Sequence, residues 1–144
     1  MRLEALCAMD LRYVDGYHLA TPYGGESGLG WGVGEGTVTG ERLAGTARWS
    51  NQPTRRGDGS MLPNARGVIT AADGAEVFFD LSGRTVFEEQ PSGLVGRQLL
   101  MALFESADER YGWLNTTVCV AEGVIDAERG SMHLEVLLCI RELT

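Results

Sequence analysis

The chain has 144 residues, 44% hydrophobic and 22% charged, a balance that suits one globular domain over 1–144 and excludes a disordered tail or fibrous repeat. Twenty acidic residues against twelve basic ones, every one of the twelve arginine, give a formal charge of −8 that repels phosphate backbones and anionic membranes. The absence of lysine removes Schiff-base chemistry. No apolar run approaches the roughly 18 residues of a membrane span, and Met1-Arg2-Leu3-Glu4 lacks the apolar region of a signal peptide, so a cytoplasmic protein is expected.

Period-two alternation dominates from the start. Leu3, Ala5, Cys7, Met9, Leu11 and Tyr13 alternate with Arg2, Glu4, Asp10 and Arg12 and read as a half-buried first strand. Residues 15–32, rich in Gly, Pro and Ser, read as a long loop. Strand-like runs follow at 33–39 and 42–49, and residues 51–64, with Pro53, Gly57, Asp58-Gly59 and Pro63, read as a second loop. Loops of this length are lids or binding loops, or simply mobile.

Runs at 65–72 and 75–82 flank Asp73-Gly74, a pair suited to a two-residue type I′ hairpin turn. That register pairs Ala72 with Ala75, Thr70 with Val77, Val68 with Phe79 and Arg66 with Leu81, all on one inward face, leaving Ile69, Glu76, Phe78 and Asp80 on the other. Further runs lie at 84–89 and 113–122, and residues 96–105 read equally as strand or helix. The last segment alternates Met132, Leu134, Val136, Leu138 and Ile140 with His133, Glu135, Cys139 and Arg141. Many short strands without a βαβ unit imply an all-β antiparallel barrel or sandwich.

Several motifs carry no chemistry. The glycines between Gly28 and Gly36 precede a strand rather than a helix, which argues for close backbone approach instead of a dinucleotide site. Arg56-Gly57-Asp58 and the sequon Asn115-Thr116-Thr117 read as chance matches. Cys7, Cys119 and Cys139 sit among apolar neighbours and read as reduced core thiols. With two histidines and no CxxC, no metal site is expected.

The run Gly36-Thr37-Val38-Thr39-Gly40-Glu41-Arg42-Leu43-Ala44-Gly45 resembles the DUF3237 (UPF0311) family. So do Ala65-Arg66-Gly67-Val68-Ile69-Thr70 before Asp73-Gly74-Ala75, and Phe104-Glu105 followed by Tyr111 and Trp113-Leu114-Asn115. The matches cover roughly residues 30–142. The resemblance implies a single antiparallel β-barrel, lipocalin-like or AttH-like, of about eight to ten strands with a central cavity, but no particular reaction. Arg48 before Trp49 and Leu99 before Phe104-Glu105 depart from the family pattern.

On this reading Arg66 is an inward guanidinium, paired with Glu105 or Asp80, or free to clamp a ligand anion or stabilise a developing oxyanion. Glu105, matching a family position, becomes a general acid or base if an apolar pocket raises its pKa. Trp49, Asn51, Phe79, Tyr111, Trp113 and Asn115 are candidate ligand-contacting residues, with packing or loop anchoring as the plain alternative. The expected function is binding of a hydrophobic cyclic or aromatic metabolite, such as one of secondary metabolism, with cofactor-independent isomerase, cyclase or lyase chemistry. A non-catalytic carrier, or a structural subunit with a filled interior, are the alternatives. Exposed edge strands of a partly open barrel make a homodimer possible.

Overall fold

Alternating apolar side chains turn most of this chain into strands, and a computed structural model describes them over all residues from Met1 to Thr144. The strands are β1 (Arg2–Ala20), β2 (Gly28–Thr39), β3 (Gly45–Asn51), β4 (Thr54–Arg55), β5 (Met61–Leu62), β6 (Asn64–Ala71), β7 (Glu76–Gln90), β8 (Gly93–Glu105), β9 (Val118–Asp126) and β10 (Ser131–Ile140). Every ladder is antiparallel. Because β1 pairs with both β2 and β10, and β7 with both β6 and β8, the sheet closes on itself in the order β1-β2-β3-β6-β7-β8-β9-β10. Short β4 and β5 bridge β2 to β7 across one end. Closure pairs the barrel strands on both sides along their bodies and leaves one-sided pairing only in overhangs such as 17–20 of β1 and 86–90 of β7, so the rationale of long exposed edges for a dimer does not apply. No helix is long and apolar enough to cross a membrane.

The inward face is packed rather than hollow through most of its height. Met9, Ile69, Val77, Phe104, Leu134 and Val136 are almost fully buried in one cluster of 22 residues. Alternation on β8 (Leu100, Ala102, Phe104 inward) settles residues 96–105 as strand. The space that remains lies at one end of the barrel, not at its centre.

Three segments differ from the sequence expectation. First, the loop expected over 15–32 is mostly strand. Asp15 (φ 58°) and Gly16 (φ 80°) form a bulge where the β1–β2 register shifts between Val14 and Tyr17, so an Asp-Gly pair bends the strand instead of ending it. A second bulge near Leu6 turns Leu3 and Ala5 outward. Third, residues 113–122 are not one strand: Glu109–Thr116 is a 3₁₀ helix, and β9 starts only at Val118.

The hairpin at Asp73-Gly74 forms, but its register is one residue from that expected. Gly74 N–H donates to Ala71 O and Ala71 N–H to Ala75 O, with Gly74 left-handed at φ 87°. This is a three-residue loop, a type I turn closed by a glycine bulge, rather than a two-residue type I′ turn. Thus Ile69 pairs with Val77, Gly67 with Phe79 and Arg66 with Asp80. A one-residue slip exchanges the faces of a strand. Ala65, Ile69, Val77, Phe79 and Leu81 point inward, while Arg66, Phe78 and Asp80 point out.

Candidate functional site

Four connections meet at the open end of the barrel: the β1–β2 hairpin, the 51–64 segment, and the β7–β8 and β9–β10 hairpins. Between them lies a cavity of about 730 Å³, within the usual size for small-molecule sites. Apolar groups such as Leu19, Met61, Leu94, Ile125 and Met132 supply much of its lining, joined by Tyr13, Tyr17, Asn51, Arg55, Ser60, Thr85 and Gln98.

One wall owes its shape to glycine spacing. A Cβ on Gly30 would lie 2.1 Å from the Tyr17 hydroxyl oxygen, one on Gly32 2.5 Å from the Tyr13 ring, and one on Gly34 2.4 Å from the Trp49 ring. The alternating glycines of β2 therefore make room for three aromatic side chains laid against the backbone, and only two of them reach the cavity. Tyr13 and Tyr17 have ring centroids 5.3 Å apart, Tyr13 and Trp49 4.7 Å. The close-approach reading of these glycines is the one the geometry supports.

The polar groups fall into three sets. Asn51 Nδ2 donates to the Tyr13 hydroxyl at 3.0 Å, and Asn51 Oδ1 accepts from Asn64 N–H at 3.0 Å, which fixes the amide at the cavity wall. Burial raises the Tyr13 pKa against the opposing effect of the Asn51 hydrogen bond. Burial, then the neighbouring Tyr13, pushes Tyr17 up to about 12, with Arg55 pulling the other way. Both phenols are therefore held neutral, as donors, at neutral pH. At the rim, Arg55 pairs with Glu26 at 2.7 Å, while Arg56 Nε donates to Ser60 Oγ at 3.0 Å. Asp58 accepts from both the Ser60 N–H and its hydroxyl, which lowers the carboxyl pKa. On the floor, Gln98 Nε2 donates to Thr85 Oγ1 at 2.9 Å, but Gln98 Oε1 is buried without a partner. An unpaired buried acceptor costs roughly 1–3 kcal/mol; this one is closed off from the cavity and lies against Gly123.

The residues expected from sequence divide between this end, the core and the outer surface. Asn51 lines the cavity; Trp49 lies one layer below, its Nε1 donating to Glu35 O at 3.2 Å. Phe79 is buried in the core. Arg66 and Glu105 are corrections. The Arg66 side chain is 76% exposed and pairs with Asp80 at 3.0 Å on the outer face, and Glu105 also points outward, beside Phe78. Neither touches the interior, so the proposed Arg66–Glu105 charge pair inside the barrel does not exist.

Tyr111, Trp113 and Asn115 lie in the 3₁₀ segment that covers the opposite, closed end. Tyr111 donates to Asp73 Oδ2 at 3.0 Å, Arg42 stacks 3.8 Å over the Trp113 ring, and Asn115 bonds both the N–H and the carbonyl of Ser106. They close and anchor that end. The residues missed were Tyr13, Tyr17, Arg55 and Gln98. A signal for two of them exists in the sequence: tyrosines four apart on β1, opposite a strand with glycine at every second position.

The family model for DUF3237, proteins of unknown function, matches residues 17–139. No curated protein matches the sequence. Among solved structures, a β-barrel-like protein from Acinetobacter baumannii superposes with a TM-score of 0.83 at 15% identity, covering 95% of this chain and 94% of that one. A protein of unknown function from Clostridium acetobutylicum gives 0.82 at 17% identity, covering 97% and 100%. An enzyme from Penicillium herquei gives 0.66 at 18% identity, covering 94% and 93%.

Proposed function

We propose that this chain, which belongs to the DUF3237 family, binds a hydrophobic cyclic or aromatic small molecule in the open-end cavity and converts it without a cofactor. The observation that carries the reading is the composition of that cavity: apolar walls, two neutral phenols, the fixed amide of Asn51 and two arginines at the rim. Such a site holds a ring by its faces and an oxygen function by its edge.

The chemistry that fits is isomerase, cyclase or lyase type. Tyr17 and Arg55 would donate to an oxygen as it gains negative charge, and a phenol held near 12 is matched to an enolate or alkoxide rather than to a carboxylate. Glu26, bound to Arg55, would take a proton from the substrate and return it at another atom, so that no net acid or base is consumed. The solved Penicillium herquei relative described as an enzyme supports a catalytic use of this barrel shape. A carrier is the second reading, favoured by the fact that both rim carboxylates, Glu26 and Asp58, are already engaged by arginine or serine.

Fluorescence titration with 1-anilinonaphthalene-8-sulfonate, an aromatic anion, tests the site. Arg55→Ala is expected to weaken binding about tenfold, in line with loss of a charge-assisted hydrogen bond, while Arg66→Ala leaves it unchanged. Equal binding by wild type and Arg55→Ala, or a loss with Arg66→Ala, removes the open-end site. Incubation with metabolite extract followed by chromatography and mass spectrometry separates the two readings. A depleted compound with a new product marks an enzyme, and recovery of the compound unchanged marks a carrier.

A further inference from the structure

The outer face of β8 presents Arg97, Leu99, Met101, Leu103 and Glu105 in order, with Leu99 69% and Met101 45% exposed. Its neighbours extend the apolar strip: Val118 sits beside Leu103 and Val120 beside Met101 on β9, and Phe78 beside Glu105 on β7. Large apolar side chains in a row on a barrel exterior have no role in a core and mark a contact face. With the barrel closed and only short overhangs unpaired, this face is the extended surface left for self-association.

We propose that two copies of this chain pack face to face over β8, with the two-fold axis lying across the strand beneath Met101. An axis of that kind sets the two β8 strands antiparallel, so a residue before Met101 meets the residue equally far after it in the second copy. Leu99 then faces the second copy's Leu103, and Arg97 faces its Glu105. On β7, where Ser82 is level with Met101, Arg84 faces the second copy's Asp80 and Val86 its Phe78. Apolar meets apolar and cation meets carboxylate at each of these positions on β7 and β8. On β9, where Val120 is level with Met101, Val118 faces the second copy's Glu122, so the match is confined to β7 and β8. That self-complementary order about one point is what selects a second copy over an unrelated protein as the occupant.

The charges concerned are free to be exchanged. Arg97–Glu88 at 3.3 Å and Arg66–Asp80 at 3.0 Å are solvent-exposed pairs, worth little where they stand. Arg84 donates only to the adjoining Gly83 carbonyl, at 2.9 Å. A net charge of −8 on each copy opposes association, so local matching of this kind is required for the faces to meet. The strip is roughly 27 Å long and about 14 Å across three strands, about 760 Å² over the two copies and below the roughly 1,200 Å² at which stable interfaces begin. A weak, transient dimer follows, the mouth of each barrel remaining open.

Sedimentation velocity over a concentration series tests the arrangement, with circular dichroism confirming that each variant is folded. Wild type is expected to pass from monomer to dimer between roughly 0.1 and 1 mM, as an interface of this size allows. Met101→Arg, which places two cations together at the axis, raises the dissociation constant more than about tenfold. Arg97→Glu and Glu105→Arg each weaken the dimer, and the double variant Arg97→Glu/Glu105→Arg recovers close to wild-type affinity. A wild-type chain that stays monomeric at millimolar concentration, as expected if the face serves a different protein, overturns the proposal. So does a dimer that tolerates Met101→Arg, or a double variant no tighter than the single ones.

Discussion

His133 stands on the outer face of β10 with both ring nitrogens engaged, Nδ1 2.7 Å from Asp10 Oδ1 and Nε2 2.7 Å from Glu135 Oε1. Two carboxylates can both be served only if both nitrogens carry hydrogen, so the geometry favours imidazolium; Asp10 first and Glu135 second raise the pKa. A group whose folded pKa exceeds its unfolded one adds stability that is complete below the unfolded value and disappears as pH rises through the folded one. Proton NMR should therefore give a His133 midpoint above about 6.5, with stability declining slightly as pH passes it and His133→Gln abolishing that decline. Half-exposure of the ring keeps the effect small. A midpoint at or below the unfolded value would falsify the double hydrogen bond. At this same scale Arg66 shows why single residues are hard to place. Its charge and its apolar neighbours were legible, and its partner Asp80 was among those expected, but which way it points depends on a turn seven residues away.

Turn chemistry explains that dependence at the level of elements. Asp73-Gly74 announces a hairpin, and the hairpin is there, but the same dipeptide serves two-residue and three-residue loops, and the two differ by one step of register. Long alternating strands such as β10 were readable because every residue votes on the face. The 65–81 hairpin was not, since Val68 and Phe78 lie outside while Ile69 and Phe79 lie inside, leaving the two faces nearly balanced in hydrophobicity. The tyrosines of the cavity were lost for a related reason: Asp15-Gly16 and the glycines after it looked like loop. Those glycines make a firm prediction. A Cβ on Gly34 would meet Arg12 O at 2.3 Å and the Trp49 ring at 2.4 Å, whereas one on Gly57 meets nothing within 4 Å. Gly34→Ala should cost at least about 1–3 kcal/mol in urea unfolding, the scale of core overpacking. Gly57→Ala should change stability by less than about 0.5 kcal/mol. Equal midpoints for the two variants would show that β2 is not the tightly backed wall described.

Closure of the barrel divides the molecule into parts of unequal firmness. Residues 8–12 of β1 are bonded on both sides, to β10 and to β2, and open only if a seam linking the two ends of the chain opens too. Beyond the bulge at Asp15-Gly16, residues 17–20 pair with β2 alone, while β2 there is held on its other side by Asn51 of β3 at Gly32, by Pro53 at Gly30 and by Thr54 of β4 at Leu29. This flap carries Tyr17 and Leu19 over the cavity, and its outer surface leaves Leu29 and Trp31 largely uncovered. Few buried contacts and one-sided pairing put it at the low end of local stability, where binding elements are commonly found. Native-state hydrogen exchange should thus find amides 17–20 exchanging roughly a hundredfold faster than those of 8–12, without global unfolding. Saturation with a ligand of the cavity should slow the flap far more than the seam, because occupancy stabilises only the states in which Tyr17 and Arg55 are in place. Uniform protection along β1 would mean that the flap and barrel open as one unit, and that a ligand enters by some route other than displacement of the β1–β2 hairpin.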